Sequence, residues 1–355
     1  MNSGIRISLA ELHAFCSAAF ERVGASRKHA EQTAGTLVSA DAFGVFTHGT
    51  KLMVGYLRRI KAGGIRTDVE PGIQREGPGW GVVNGRSALG QVTGEYAMAL
   101  ALHKARNCGI AYVGVDYSNH YGAAGHYALM AARQGMIGLS VCNDTPSVAA
   151  PGSRGAVTGT NPIAYAIPAG DRDPIFFDAA ISTVAGGKVY AARTLGQPIP
   201  PDWLIGPDGH PTTDGSLYPA QASLAPMSGH KGYGLALLVE TLSSLATGAA
   251  MTRQVGSWMF SDPAIPTRHG AAFIALDVSV IAPPGEFTRR VQELIEEIHA
   301  VPTIAGVERV LLPGEREWAS RRRAESSGIE LPRDVVAKLV EASGEAEMTT
   351  PAWLS

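Results

Sequence analysis

The sequence predicts an α/β fold in which helices cover both faces of a sheet and the two chain ends form an added helical layer. Short apolar runs typical of buried strands alternate with amphipathic stretches through the middle of the chain. Residues 1–62 and the end of the chain carry helical patterns instead. A length of 355 residues fits two domains, or one large domain with an appended layer.

Three helices are predicted within residues 1–62. Ser8 and Glu11 have the spacing of a capping box ahead of an apolar stripe at helical spacing. Ser26 can cap the second helix. The third helix ends at Gly63, because glycine is the residue that most often follows a helix C-terminus. These patterns predict an all-helical start to the chain.

The middle of the chain predicts the sheet and its covering helices. Strands are expected at residues 80–83, 111–115, 137–141, 163–167, 175–177 and 271–281. Helices are expected at residues 93–107, 123–133, 231–245, 287–298 and, near the end, 332–342. Residues 196–216 are rich in Gly, Pro and Asp and predict a surface loop. We expect a helical N-terminal segment (1–75), an α/β domain (76–310) and a C-terminal segment (311–355) that packs with the N-terminal helices.

Composition excludes several classes of protein. A net charge of −2 with both signs scattered gives no attraction to nucleic acid or to an acidic membrane. The start of the chain lacks the pattern of a signal peptide, and no apolar stretch approaches the ~18–20 residues of a membrane span. The three cysteines have no metal or redox spacing, so buried free thiols are expected. We therefore expect a cytoplasmic protein.

Two histidines are the best candidates for chemistry. His120 follows a predicted strand and precedes a glycine-rich helix start, the place where open α/β sheets bind small ligands. His48 lies in a turn between two helices. Histidine is the side chain best matched to acid–base work near neutral pH, although a lone loop histidine is more often structural. His120 and His126 are six apart, a poor zinc spacing, and no metal site is predicted.

Other polar residues stand where apolar runs end. They are Asn143, Asp144, Thr160, Asn161, Asp178 and, at a helix start, Lys231. Singly, each is more often a cap or turn residue, but together they indicate one shared cleft. No G-x-G-x-x-G follows a predicted strand, and no P-loop, G-x-S-x-G or H-E-x-x-H motif occurs. A nucleotide would therefore need an arrangement other than the Rossmann one.

Six short motifs, in order along nearly the whole chain, resemble the malate/L-lactate dehydrogenase family, whose members lack a Rossmann fold. They are Thr47-His48-Gly49, His120-Tyr121-Gly122-Ala123-Ala124-Gly125, Gly159-Thr160-Asn161-Pro162, Asp178-Ala179-Ala180 with Ser182, Lys231-Gly232-Tyr233-Gly234-Leu235, and Leu312-Pro313-Gly314-Glu315. Each motif alone is modestly specific, and six in sequence are strongly so.

The resemblance implies a homodimeric NAD- or NADP-dependent oxidoreductase with a mixed-sheet, non-Rossmann nucleotide domain. It would interconvert a small-molecule 2-hydroxy acid and the 2-oxo acid, with His48 and His120 at the reacting centre and His120 favoured as acid/base. Thr47, Lys51 and Leu52 would lie on the substrate side. The cofactor would contact His120, Tyr121, Gly122, Ala123, Ala124, Asn143, Asp144, Thr160, Asn161, Asp178, Ala179, Ala180, Lys231, Leu311, Leu312, Pro313, Gly314, Glu315 and Arg316.

Three positions depart from the pattern that the resemblance implies. Relatives commonly carry an arginine at the position of Leu52, where it grips a substrate carboxylate in a way that leucine does not. Lys188 stands where imino-acid reductases have an aspartate, which favours a 2-oxo acid reaction. Asp144 stands where a serine is frequent, and its charge would oppose a nearby phosphate.

Two alternatives stay open at this point. The first is an NADPH-dependent reductase of a cyclic imine, since Leu52 would tolerate an uncharged or bulky ring. The second is a catalytically inert nucleotide-binding protein, which Leu52 and Asp144 would be compatible with.

Overall fold

The computed structural model describes residues 5–354 and confirms the α/β class, with a mixed sheet and covering helices. The helices are α1 (Leu9–Arg22), α2 (Arg27–Ala42), α3 (Met53–Ala62), α4 (Gly90–Cys108), α5 (Gly125–Ala132), α6 (Gly186–Thr194), α7 (His230–Glu240), α8 (Glu286–His299), α9 (Glu315–Ser327) and α10 (Arg333–Glu345). The strands are β1 (Ile5–Ile7), β2 (Gly72–Gly77), β3 (Trp80–Asn84), β4 (Ile110–Ser118), β5 (Met136–Cys142), β6 (Val148–Ala149), β7 (Ala156–Thr158), β8 (Ile163–Ala169), β9 (Arg172–Ala179), β10 (Leu204–Ile205), β11 (Pro211–Thr212), β12 (Ser223–Leu224), β13 (His269–Asp277) and β14 (Ile329–Leu331).

A seven-stranded sheet in the order β2-β3-β4-β13-β5-β8-β9 forms the centre of the molecule. β3 and β4 run parallel, and the other neighbours pair antiparallel. Its central strand, β13, is buried on both faces. Phe273 packs into a core that includes α4 and α5, whereas the adjacent Ala272 packs toward Val239 of α7. Helices therefore cover both faces of the sheet, as predicted.

The two chain ends share one hydrophobic core. Leu12, Leu37 and Leu57 of the first three helices pack in the same cluster as Leu331 and Leu339 from the C-terminal segment. β1 pairs antiparallel with β14, and α3 lies against α10. The predicted packing of the C-terminal segment on the N-terminal helices is thus present. The domain boundaries at residues 75 and 310 stay a prediction.

Local signals for helix ends are confirmed. The Ser8 hydroxyl accepts the Glu11 N–H at 3.2 Å and donates to the Glu11 carboxylate at 2.6 Å. The Ser26 hydroxyl accepts the His29 N–H at 3.2 Å. Gly63 follows the third helix with φ of +93°, a conformation that glycine adopts without a steric cost.

A second, five-stranded sheet in the order β11-β10-β12-β6-β7 was not predicted. Two of its strands, β10 and β11, come from residues 196–216, which were expected to form only a loop. The strand predicted over 271–281 ends at Asp277 and continues as a 3-10 turn. Cys108 is exposed at the last residue of its helix, so the expectation of three buried thiols is wrong there. Cys16 and Cys142 are buried.

Candidate active site

His48 and His120 lie side by side, although they come from different parts of the fold. His48 ends a 3-10 turn (Phe46–His48) after α2, and His120 lies two residues beyond β4. The ring centroids are 5.9 Å apart and the ring planes differ by 22°. The structure therefore brings together the two histidines that the sequence singled out.

A buried carboxylate holds the turn that carries His48. The Asp41 carboxylate, 1% exposed, accepts both the hydroxyl (2.5 Å) and the N–H (3.1 Å) of Thr50. Gly49 lies against the same carboxylate, where a Cβ would be 1.7 Å from Oδ1. Burial raises the pKa of Asp41 to about 7, with the Thr50 hydrogen bonds opposing the rise. The turn thus closes on α2 through one titratable group.

The ring of His120 is held by two residues that the sequence did not identify. The Tyr56 hydroxyl on α3 is hydrogen-bonded to His120 Nδ1 at 2.6 Å. Trp258 stacks on the imidazole with centroids 4.5 Å apart and planes 19° from parallel. Gly55 admits this tryptophan, because a Cβ there would be 2.8 Å from its ring. With Nδ1 occupied, Nε2 is the atom left to exchange a proton with a ligand.

Arg59 fixes the loop that supplies Trp258. Its guanidinium is buried and donates to the carbonyls of Ser257 (2.9 Å), Trp258 (2.8 Å), Ser261 (3.1 Å) and Ile265 (3.1 Å). Burial lowers its pKa from the usual value. One side chain therefore ties the 257–265 loop to α3, next to Tyr56.

Electrostatics favour the neutral form of both imidazoles. Burial lowers the pKa of His120 well below its usual value, and the neighbouring His48 and His269 lower it further. Burial likewise lowers the pKa of His48, with Asp144 acting in the opposite direction and Lys51 in the same direction. A neutral imidazole is the form that accepts a proton.

A third histidine, His269, lies at the start of β13. Its ring stands edge-on to His120, with centroids 6.3 Å apart. Its Nε2 is 3.1 Å from Asp144 Oδ1. His269 could not be identified from the sequence because it begins an apolar strand and belongs to none of the six motifs. The sequence feature that could have indicated it is a histidine just before the strand predicted at residues 271–281.

Three of the segments predicted to bind the cofactor lie together. The turn from His120 to Ala124 leads into α5, where the Gly125 N–H donates to the Asp178 carboxylate at 2.7 Å. Asp178 and Ala179 end β9, and Ala180 follows it. The Pro313 carbonyl accepts the N–H of Phe176, also in β9, at 3.2 Å. The segment Leu311–Arg316 therefore lies along the same strand as Asp178.

Asn143, Thr160 and Asn161 belong to the buried support of the cleft. The Asn143 amide donates to the Ala250 carbonyl at 2.8 Å and accepts the Gly270 N–H at 2.9 Å. The Asn161 amide donates to the Glu240 carboxylate at 2.8 Å and accepts the Asp144 N–H at 3.3 Å. The Thr160 carbonyl accepts the Ile181 N–H at 2.8 Å. These hydrogen bonds connect the C-terminal end of β5 and the N-terminal end of β8 to α7. This helix begins at His230, next to the exposed Lys231.

The residues expected on the substrate side differ in their orientation. Thr47 Oγ1 is 3.0 Å from His48 Nδ1. The Lys51 ammonium is paired with Asp334 of α10 at 3.1 Å. Leu52 is partly buried against the N-terminal core. Thr47 thus fixes the His48 ring, while the Lys51 charge is used by a helix from the far end of the chain.

Metal-ligand groups and membrane-spanning helices are both absent from the described residues. Within residues 5–354, no group of three or more His, Cys, Asp or Glu side chains is arranged to hold a metal ion. Over the same residues, no helix combines the length and the apolar character needed to cross a membrane.

Comparison with known proteins places this geometry in context. The family model described as "Malate/L-lactate dehydrogenase" matches residues 7–340. Malate dehydrogenase of Pyrococcus horikoshii is 36% identical over 344 residues, which cover 95% of this chain and 94% of that protein. A Delta(1)-pyrroline-2-carboxylate/Delta(1)-piperideine-2-carboxylate reductase of Pseudomonas putida is 32% identical, covering 96% and 97%. The crystal structure of malate dehydrogenase from Entamoeba histolytica superposes with a TM-score of 0.91 at 29% identity, covering 98% and 99%.

Proposed function

The chain belongs to the malate/L-lactate dehydrogenase family of oxidoreductases, which use NAD or NADP, and we propose that it transfers a hydride between nicotinamide and the reacting carbon of a 2-hydroxy or 2-oxo acid. The observation that carries the proposal is the pair of imidazoles, His48 and His120, 5.9 Å apart in one cleft. Bound nicotinamide would supply the hydride donor or acceptor.

We assign the proton to His120. In the direction of oxidation its Nε2 takes the proton of the substrate hydroxyl, and in reduction it returns that proton to the new alkoxide. The lowered pKa keeps the ring neutral and ready to accept. For Nε2 of the neutral ring to accept, Nδ1 must carry the proton and donate it to the Tyr56 hydroxyl oxygen; this bond is unchanged when Nε2 becomes protonated. Trp258 holds the plane of the imidazole.

We assign to His48 the orientation of the substrate. Its Nδ1 is bonded to Thr47, so its Nε2 faces the remaining space of the cleft. A neutral imidazole can donate to or accept from a substrate oxygen. Lys51 and Leu52 stay proposed as neighbours of the substrate, with Lys51 acting on the cleft through the field of its charge rather than by contact.

The described residues fit a dinucleotide. The first turn of α7 presents backbone N–H groups, which suit a pyrophosphate. Lys231 makes no salt bridge with any residue of the 5–354 range, so its cation is available to a phosphate. The Asp178 carboxylate uses one oxygen on Gly125, and the other can accept a ribose hydroxyl. We propose that these residues bind the cofactor together with Tyr121, Gly122, Ala123, Ala124, Asn143, Asp144, Thr160, Asn161, Ala179, Ala180, Leu311, Leu312, Pro313, Gly314, Glu315 and Arg316.

The experiment is a substrate panel with separate histidine variants. Purified protein is assayed on 2-oxo acids and 2-hydroxy acids with NAD(H) and NADP(H). His120→Gln and His120→Ala should lower kcat by ~10²- to 10⁴-fold, the usual contribution of an acid–base group. His48→Gln should act mainly on KM. His103→Gln, an exposed histidine on α4, is the matched control and should leave both constants unchanged. Wild-type turnover in both His48 and His120 variants contradicts the assignment.

A second candidate function is the reduction of a cyclic imine. The walls around His120 are aromatic and apolar, with Trp258 stacked on it and Tyr56 beside it. Such walls pack well on a ring substrate. One similar protein is named a reductase of two cyclic imino acids. Adding cyclic imines to the panel separates the two functions by kcat/KM. Nicotinamide fluorescence that titrates without turnover on any substrate favours an inert nucleotide-binding protein instead.

We also propose that the protein is a homodimer formed through α7. This helix exposes Leu235, Leu237 and Leu238 to 37%, 44% and 48%, and Leu245 just beyond it to 57%. An apolar surface of this kind marks an interaction site. Light scattering after gel filtration should give twice the 37.1 kDa mass of the chain. Leu238→Glu should give a monomer, whereas Leu195→Glu, an exposed leucine on another element, should not change the mass.

A further inference from the structure

A chain of four buried or partly buried polar side chains runs beside His120. His269 Nε2 is 3.1 Å from Asp144 Oδ1, and its Nδ1 is 2.8 Å from Thr267 Oγ1. Thr267 Oγ1 is 2.9 Å from Asn119 Oδ1, one residue before His120. His269 is 1% exposed, and Thr267 and Asn119 are also buried. None of the six sequence motifs contains any of these four residues.

The hydrogen bonds fix one proton of His269. Asn119 Nδ2 lies 3.1 Å from the Ser87 carbonyl and 2.9 Å from the Ala88 carbonyl, so the amide donates there and its Oδ1 must accept. Thr267 therefore gives its only hydroxyl proton to Asn119. Its oxygen must then accept from His269, which requires a proton on His269 Nδ1.

A second proton lies between His269 and Asp144. A bare Nε2 would face a carboxylate oxygen at 3.1 Å with lone pair against lone pair, so the contact needs a proton on one of the two atoms. The Thr145 N–H, 2.7 Å from the same Oδ1, adds a donor to that oxygen. Whichever atom holds the shared proton, the His269–Asp144 pair is net neutral. The negative charge expected at Asp144 is therefore balanced by the proton that it shares with His269.

We propose that His269 is a positioning residue that neutralises Asp144 and thereby keeps His48 and His120 neutral and the cleft open to an anionic ligand. Each member of the pair acts on one of the two imidazoles: Asp144 raises the pKa of His48, and His269 lowers the pKa of His120. The role rests on the proposed function, because it concerns the same two imidazoles.

The other titratable groups around the two imidazoles are few. They are Tyr56 on α3, Asp41 below the His48 turn, Lys51 beside it and Cys142 at the end of β5. Lys51 is paired with Asp334, and burial raises the pKa of Tyr56 and of Cys142, so both remain uncharged near neutral pH. Asp41, with a pKa of about 7, titrates in the same range but acts on the pKa of neither imidazole. His269 and Asp144 are thus the groups whose removal changes the charge next to His48 and His120 most directly.

The test is a histidine titration followed by NMR on protein labelled with ¹⁵N-histidine, with no cofactor present. His269→Gln removes the ring that shares a proton with Asp144 and leaves a bare carboxylate, so the pKa values of His48 and His120 should rise. Asp144→Asn removes the anion, so the pKa of His48 should fall. A change of at least ~0.5 pH unit is expected in each case. The double variant should lie closer to wild type than either single variant.

The control is a histidine–carboxylate pair outside the cleft. His126 Nε2 is 3.0 Å from Glu95 Oε1, and His126→Gln makes the same chemical change there. It should leave both pKa values unchanged. Should His269→Gln fail to fold, Thr267→Val removes the acceptor of His269 Nδ1 and should raise the pKa of His48 in the same direction.

Two outcomes overturn the proposal. One is that both single variants, His269→Gln and Asp144→Asn, fold and shift the pKa of His48 in the same direction. The other is that neither variant shifts the pKa of His48 and both only lose stability. Absence of turnover by the wild-type protein on every substrate of the panel refutes the proposed function and leaves the NMR result standing, so the two failures are distinguishable.

Discussion

Replacing Asp41 by asparagine should stabilise the protein above neutral pH and change little in mild acid. The carboxyl is 1% exposed, and burial raises its pKa from 3.8 to about 7. The folded state therefore holds this proton more tightly than the unfolded state. The stability that Asp41 contributes is fully present below pH 3.8 and is lost as the pH rises to about 7.

The magnitude follows from the same values. Each tenfold change in acidity is worth ~1.36 kcal/mol, so ionising Asp41 in the folded protein costs about 4 kcal/mol in all. Asparagine keeps an oxygen for the Thr50 hydroxyl and never ionises. It buries an amide NH2 where Asp41 Oδ1 has no hydrogen-bond partner, at a cost of about 1–2 kcal/mol, which leaves a net gain of about 2–3 kcal/mol near pH 8.

Urea unfolding of both proteins at about pH 5 and about pH 8 measures this. The free energy of unfolding of Asp41→Asn minus that of wild type should increase by about 2–3 kcal/mol between the two conditions. Asp202→Asn, an exposed aspartate, is the control and should show no such increase. An Asp41→Asn difference that is equal at both pH values refutes the reasoning, because it would mean that Asp41 is ionised throughout.

Three further outcomes concern the support of His120. Tyr56→Phe removes the partner of Nδ1 and should lower kcat about 10- to 100-fold with little change in KM, as steady-state kinetics would show; an unchanged kcat contradicts the role. Gly55→Ala should lower the free energy of urea unfolding and raise KM, because its Cβ would be 2.8 Å from the Trp258 ring and displacing that ring outweighs the ~1 kcal/mol gained in helix propensity; an increase in stability contradicts this. Arg59→Met should leave the carbonyls of residues 257–265 unpaired, so limited proteolysis should cut that loop faster than in wild type; equal rates refute this.

Most of the large sheet could be predicted because its strands are short apolar runs between glycines and helices. β2 was missed because its sequence, GIQREG, is polar and lies at the sheet edge, where only part of one face is buried. α9 was missed because it buries only Ala324 and so carries no apolar stripe. The strands of the smaller sheet are two or three residues long, too short for an alternating pattern.

The site was predicted only where the motifs reach. His48 and His120 stand in recognisable turns, and the structure brings them together. The Tyr56 ring is buried in the N-terminal core, as its helical position would suggest for any aromatic residue, and the contact of its hydroxyl with His120 is set by tertiary packing. Trp258 and His269 enter from segments far along the chain. Their contacts depend on tertiary packing, which a local pattern does not encode.

A helix of the C-terminal segment, α10, supports the turn that carries His48. Lys51, three residues past His48, is paired with Asp334, and α10 packs against α3 through Val335 and Leu339 in the shared core. A nascent chain still lacking α10 would have His120 on its strand but no support on this side for the His48 turn. The proposed site therefore depends on contacts between segments that lie 283 residues apart in the sequence, so a chain cut before Arg333 should lose the support of the His48 turn while its central sheet remains.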